Sequence, residues 1–223
     1  MDDFSLQGEE LRDALDKLAG INAFLGGNSV VLQGIDKLVK NIHHNKEIVI
    51  ADIGCGNGDM LRVIADYGKK NNINFKLTGI DANEFTITYA RKLSVNYNNI
   101  DYTCIDIFKP EFENINYDIL ICTLTLHHFK DDEILKIMPV FINNAGVGVI
   151  INDLHRSSIA YHLFKVVCAV FRLNRMSRED GLISILRGFK KNELRAYSEK
   201  LNLKKYTLQW KWAFRYQWII YKT

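Results

Sequence analysis

The chain has 223 residues, 48% apolar and 25% charged, with only two prolines; this excludes disordered, fibrous and collagen-like proteins and suits one α/β domain with a substantial core. Four cysteines lie far apart at Cys55, Cys104, Cys122 and Cys168 with no Cys-x-x-Cys pair, so neither a disulfide framework nor a structural zinc is indicated. The net charge of +3 hides an asymmetry, with 14 basic against 22 acidic side chains over residues 1–153 and 15 against 4 over residues 154–223.

In chain order, MDDFSLQGEE is acidic and amphipathic rather than basic and then apolar, so no export signal is visible and a cytoplasmic location is expected. Two amphipathic helices are predicted at 9–19 and 29–42, a helical cap over residues 1–44 ahead of a main domain at 45–223. His43 and His44 read as surface residues. EIVIADI (47–53) is a buried strand, followed by a glycine turn and a helix over 57–70. Strands follow at 75–81, 100–106, 117–124 and 146–153, with helices at 84–95 and from Asp131 onward, where Pro139 predicts a kink or an early stop. An apolar helix over 157–173, a polar loop over 174–181, a helix over 191–201 and two last strand-like runs complete the chain. The stretch 159–173 is interrupted by His162, Lys165 and Arg172 and falls short of the roughly 20 apolar residues a membrane span requires. Alternating strands and helices predict a three-layer α/β fold, a mostly parallel, Rossmann-like sheet covered on both faces.

The sharpest motif is ADIGCGNGD (51–59), where a buried strand gives way to a helix. Its three glycines allow unusual backbone angles and let a ligand approach the main chain. A phosphate-binding loop would need Lys-Ser/Thr after the last glycine, where Asp59-Met60 stands. Asp52 and Asp59 flank the place where a pyrophosphate would need positive charge, which argues for a cationic ligand. Asp81 and Asp106 end the next two strands, so three successive strand ends each deliver an acid to the carboxyl edge of the sheet, where open parallel sheets bind ligands. A carboxylate at position 81 suits the two hydroxyls of a ribose.

These motifs resemble the class I S-adenosylmethionine-dependent methyltransferases: ADIGCGNGD the first motif, GID (79–81) the second-strand acid, CIDI (104–107) the third, and YDILICTLTLHHF (117–129) the fourth-strand motif. The resemblance spans residues 45–221 and implies a seven-stranded sheet with an antiparallel last strand, and S-adenosyl-L-methionine as cofactor. It implies that Gly54, Cys55 and Gly56, with Asp52 behind them, line the methionine part. Asp81, with Ala82 beside it, would grip the ribose, Asp106 and Ile107 would contact the adenine, and Thr123 and Leu124 would close over the cofactor. NDLHRSSIAYHLFK, SREDGLISILRGFKKNELRA and INAFLGG are similar to a narrower group, bacterial small-molecule methyltransferases related to quinone-biosynthesis enzymes and found beside polyketide pathways. That likeness implies a phenolic or quinone-like acceptor with an apolar tail.

A hydroxyl acceptor gains from a general base, and histidine is the side chain best poised for it near neutral pH. His155, with Asp153 and Arg156 beside it, is the preferred base or substrate-orienting residue; His127 and His128 are assigned to shaping the cofactor-side loop. No metal site is indicated. The expected activity is methylation of a small hydrophobic acceptor, on oxygen. The rivals are a nucleic-acid or protein methyltransferase and a binding-only module. CTLTLHH stands where amino-methylating nucleic-acid enzymes carry an Asn/Asp-Pro-Pro-Tyr-like run, so no stable nucleic-acid partner is expected. The basic last third is compatible with a carrier-bound acceptor or an anionic surface, and the helix 157–173 with a core position or a homodimer contact.

Overall fold

In the computed structural model, which describes residues 4–40, 42 and 46–223, the chain forms seven strands, nine α-helices and one short 3-10 helix among these residues. His43 and His44, read as surface residues, lie outside the described residues.

The first unit runs β1 (Ile48–Ile53), α3 (Asp59–Asn71), β2 (Phe75–Asp81), α4 (Glu84–Leu93) and β3 (Ile100–Cys104). The second runs β4 (Tyr117–Thr123), α6 (Asp131–Asn144), β5 (Ala145–Leu154), α9 (Lys191–Lys200), β6 (Tyr206–Lys211) and β7 (Arg215–Tyr221). The sheet order is β3-β2-β1-β4-β5-β7-β6. β7 is antiparallel to both neighbours, and the strands from β3 to β5 are parallel, as expected. The chain reverses direction across the sheet between β1 and β4, and the crevice at such a switch point is where ligands bind.

Residues alternate across the sheet because successive strand side chains point to opposite faces. Ile50, Leu77, Ile121 and Ile150 pack against Val31 and Ile35 of α2 (Gly27–Val39), Leu61 and Ile64 of α3 and Ile87 of α4. Ala51, Ile80, Leu120 and Ile151 pack on the other face with Ile137 and Phe141 of α6, Leu194 of α9, and Phe112 from the short α5 (Pro110–Glu113). Trp218 is fully buried between β5 and β6. The second N-terminal helix is thus part of the sheet's covering layer. The first, α1 (Glu9–Phe24), crosses the carboxyl edge instead and is longer than the predicted 9–19.

Two local expectations are corrected. Pro139 does not end α6, which runs five residues further to Asn144. Pro139 stands on the exposed side, where the freed Leu135 carbonyl can turn to water, while Ile137, Met138 and Phe141 hold the buried side to the sheet. The segment 174–181 is not a loop: after α7 (Ser158–Val170), Asn174 accepts the Ser177 N–H at 2.8 Å and starts α8 (Arg175–Arg187). Its buried stripe is Ser177, Gly181, Ser184 and Ile185. A Cβ at Gly181 would fall 2.4 Å from the Phe164 ring, so α7 and α8 approach closely over a glycine.

Candidate active site

β1 ends in a turn whose three glycines all adopt left-handed angles: Gly54 at φ 68°, Gly56 at 54° and Gly58 at 75°. At Gly58 the need is double, since a Cβ would also sit 2.0 Å from the Tyr102 hydroxyl, which is fixed by a 2.7 Å hydrogen bond with Ser94. Gly54 N donates to Ile80 O at 2.8 Å. Asp81 clips the turn from the side: Oδ2 accepts from Gly56 N at 3.2 Å and Oδ1 from Asn83 N at 3.0 Å. Asn83 then caps α4 by accepting the Thr86 N–H.

Acids crowd behind this turn. Asp52 is buried and its Oδ1 has no hydrogen-bond partner. Burial first, then the charges of Asp59 and Asp81, push its carboxyl well above the usual range. Burial also raises Asp59, against the pull of Arg62 and backbone hydrogen bonds, and raises Asp81, against donors at Asn83, Gly56 and Ala82. Three largely buried carboxylates, only Asp59 of them drawn on by a cation, Arg62, form beside bare main chain a cradle suited to a cationic ligand.

α1 lies across this cradle. Asp16 accepts from Asn57 Nδ2 at 2.9 Å and from the Tyr89 hydroxyl at 2.6 Å, and Asn83 Nδ2 donates to Leu6 O at 2.8 Å. On the other side Asn174 Nδ2 donates to Asp13 Oδ2 at 2.7 Å. Between α1, the turn, α7 and α8 lies a cavity of about 500 Å³. Leu15, Leu18, Leu163, Phe164, Ile185 and Phe214 make most of its wall apolar.

Of the residues singled out from the sequence, Asp52, Gly54, Cys55, Gly56, Thr123, Leu124 and His155 line this cavity together. Leu124 takes φ 53°, which is costly outside glycine and gathers at functional sites. Asp81 and Ala82 stand beside the turn but off the cavity wall. Asp106 and Ile107, past the end of β3, are also off it: Asp106 accepts the Phe108 N–H at 3.0 Å, and Ile107 is buried with Leu120 and Leu126.

The two candidate histidines differ in which nitrogen is available. The indole N–H of Trp210 donates to His155 Nδ1 at 3.2 Å. Indole is only a donor, so in the neutral ring the hydrogen is on Nε2 and His155 presents a donor rather than a base. Burial first, then the charge of Lys190, lowers its pKa and favours that neutral form. His127 is arranged the opposite way. Its Nδ1 donates to Asp153 Oδ1 at 2.7 Å, its backbone N–H to Oδ2 at 3.1 Å, and its Nε2 is buried with no hydrogen-bond partner. Burial raises the Asp153 carboxyl, but His127 and the hydrogen bonds it receives outweigh this and hold it below the usual range. An ionised Asp153 fixes the proton on Nδ1 and leaves the Nε2 lone pair of a cavity-lining histidine uncommitted.

In the sequence Asp153 stands beside His155 and suggests that pairing. The parallel register, Thr123 against Asn152, brings the residues after β4 to Asp153 instead. Asn22 and Arg215 also stand in the wall, where no local sequence motif marks them. No group of three or more potential metal ligands converges among the described residues.

The fold is the Rossmann-like methyltransferase fold, and residues 50–144 match the family model described as a methyltransferase domain. Over 154 residues the chain is 28% identical to the ubiquinone biosynthesis O-methyltransferase of Rickettsia typhi, covering 66% of this chain and 57% of that protein. Over 145 residues it is 30% identical to the enzyme of the same name from Rickettsia prowazekii, covering 62% and 52%. The chain thus spans just over half the length of these curated relatives. Among solved structures, the plantazolicin methyltransferase BpumL with S-adenosylhomocysteine superposes with a TM-score of 0.65 at 17% identity, covering 96% of each chain. Human N-acetylserotonin methyltransferase gives 0.66 at 14% identity, covering 96% of this chain and 56% of that one. At such identities the likeness is one of fold.

Proposed function

We propose that the chain transfers a methyl group from S-adenosyl-L-methionine to a hydroxyl oxygen of a small, hydrophobic, phenolic acceptor. The observation that carries this reading is the buried Asp153–His127 pair, whose unpartnered Nε2 belongs to a residue lining an apolar cavity that begins at the glycine turn. The relatives named as O-methyltransferases support oxygen as the acceptor atom.

The orphaned Asp52 oxygen and the Cβ-free turn fit a cationic sulfur nucleoside. Its methionine part would rest on Gly54, Cys55 and Gly56. Asp81, with acceptor capacity beyond its backbone donors, would take the ribose hydroxyls, Ala82 flanking it. Asp106 and Ile107 would face the adenine, and Thr123 with Leu124 would close the inner side. When bound, this cofactor supplies a methyl already activated on a sulfonium, so the protein's own tasks are positioning, exclusion of water and removal of one proton. His127 Nε2 takes the phenolic proton, and Asp153 stabilises the resulting imidazolium. His155 Nε2–H orients the acceptor. The apolar wall and α1 keep water away.

The test incubates the protein with methyl-labelled S-adenosylmethionine and a panel of alkyl-substituted catechols, phenols and quinols, with short RNA as the contrasting acceptor. Label on a phenolic oxygen supports the reading. Label on RNA alone, or cofactor binding without transfer to any member of the panel, overturns it.

A further inference from the structure

Arg215 begins β7 and is 3% exposed, yet it lines the same cavity as His127 and His155. Its guanidinium lies against Gly27, where a Cβ would be 2.2 Å from Nη1, so the close approach of that chain segment depends on a glycine. Nη1 donates to Asn22 Oδ1 at 2.7 Å, and Asn22 is held in turn by an Nδ2 bond to Asn28 Oδ1 at 2.8 Å. Nε is buried with no acceptor. No carboxylate pairs with this guanidinium among the described residues; Asp153 acts on it through space, but both Asp153 oxygens are engaged by His127 and by the Leu154 N–H. Burial pulls Arg215 down to about 10, against the Asp153 charge, which leaves it protonated at neutral pH. A fixed cation in an apolar wall with one neutral partner is costly unless an anion completes it.

The geometry points to Arg215 as the anchor for a carboxylate on the methyl acceptor. The planar guanidinium is matched to a carboxylate by two parallel N–H donors, a geometry an ammonium cannot supply. This rests on the methyltransferase reading and narrows it: the substrate is a phenolic acid, its hydroxyl toward His127 and its acid group toward Arg215, with the apolar body between them.

The test is calorimetric titration of the S-adenosylhomocysteine-saturated protein, in which no reaction occurs, with 3,4-dihydroxycinnamate and with its neutral amide. The wild type binds the carboxylate about tenfold or more tightly than the amide. Arg215→Met brings the two within about threefold without weakening the amide or S-adenosylhomocysteine, and Arg215→Lys gives an intermediate preference. Equal binding of the two probes by the wild type, no binding of either, or a preference retained in Arg215→Met overturns the proposal. Because the wild-type comparison needs no variant, a poorly folding mutant does not rescue it. A wild type that fails to bind S-adenosylhomocysteine overturns the methyltransferase reading and this proposal with it; one that binds it and ignores the carboxylate overturns this proposal alone.

Discussion

The proposed division of labour between His127 and His155 rests on one ring hydrogen bond each. Asp153 takes the Nδ1 proton of the first and frees Nε2; Trp210 occupies Nδ1 of the second and leaves Nε2 as a donor. His127→Asn should lower turnover by about 10²-fold or more, the usual contribution of a positioned base, with S-adenosylhomocysteine affinity within about twofold of wild type. His155→Ala should raise KM more than it lowers kcat; the reverse pattern in steady-state kinetics would exchange the roles. Asp81→Ala removes the clip on Gly56 and the acceptor for a ribose, and calorimetry should show cofactor affinity weakened by about tenfold or more. The acids behind the turn give a pH dependence. An unfolded aspartate titrates near ~3.9, and Asp52, Asp59 and Asp81 are all raised in the folded chain. Their stabilising contribution is therefore complete below about pH 4 and is lost as pH rises through the folded values. The thermal midpoint of the cofactor-free protein should fall across that window and the slope should flatten in Asp52→Asn. Affinity for the sulfonium cofactor should rise over the same range, because the cation binds the ionised acids. A flat profile in differential scanning calorimetry would remove this cluster from the account.

At the scale of elements, most of the framework was legible because the signals were local. Apolar runs that close on acid and glycine mark β1 and β2, the continuous apolar run after Asp118 marks β4, and Asn83 caps α4 where helical spacing begins. What escaped was set by tertiary contact. α8 turns serine and glycine rather than leucine toward its neighbours, so its spacing carries little hydrophobic contrast; the readable sign was the small-residue stripe Ser177, Gly181 and Ser184 after Asn174. The Asp153–His127 pair joins residues 26 positions apart, and only the β4–β5 register brings them together. α1 is held over the cleft by Asp16, so Asp16→Ala should speed S-adenosylhomocysteine release about threefold or more in stopped-flow measurements. Gly58→Ala should cost roughly 2–4 kcal/mol in urea unfolding, combining left-handed strain with the clash against Tyr102. A loss under about 0.5 kcal/mol would show that the turn can relax.

Across the whole molecule, the faces of the sheet and its carboxyl edge do different work. The α6 and α9 side fixes the sheet's register with a continuous apolar core, while α1, α7 and α8 enclose the working volume at its carboxyl edge. No single described helix is long and apolar enough to cross a membrane. The apolar helix α7, for which the sequence leaves open a core position, a greasy pocket or a homodimer contact, lines the cavity on one side with Ala160, Phe164 and Val167, whereas Ile159 and Val170 are exposed. The arrangement as a whole rests on the glycine turn and His127 serving one ligand pair, and a crystal structure with S-adenosylhomocysteine tests this most directly. The ligand's sulfur should lie between the Gly54–Gly56 main chain and the His127 ring, its ribose on Asp81, with the apolar cavity open beyond the sulfur. A ligand seated elsewhere, or with its sulfur turned away from His127, would contradict it.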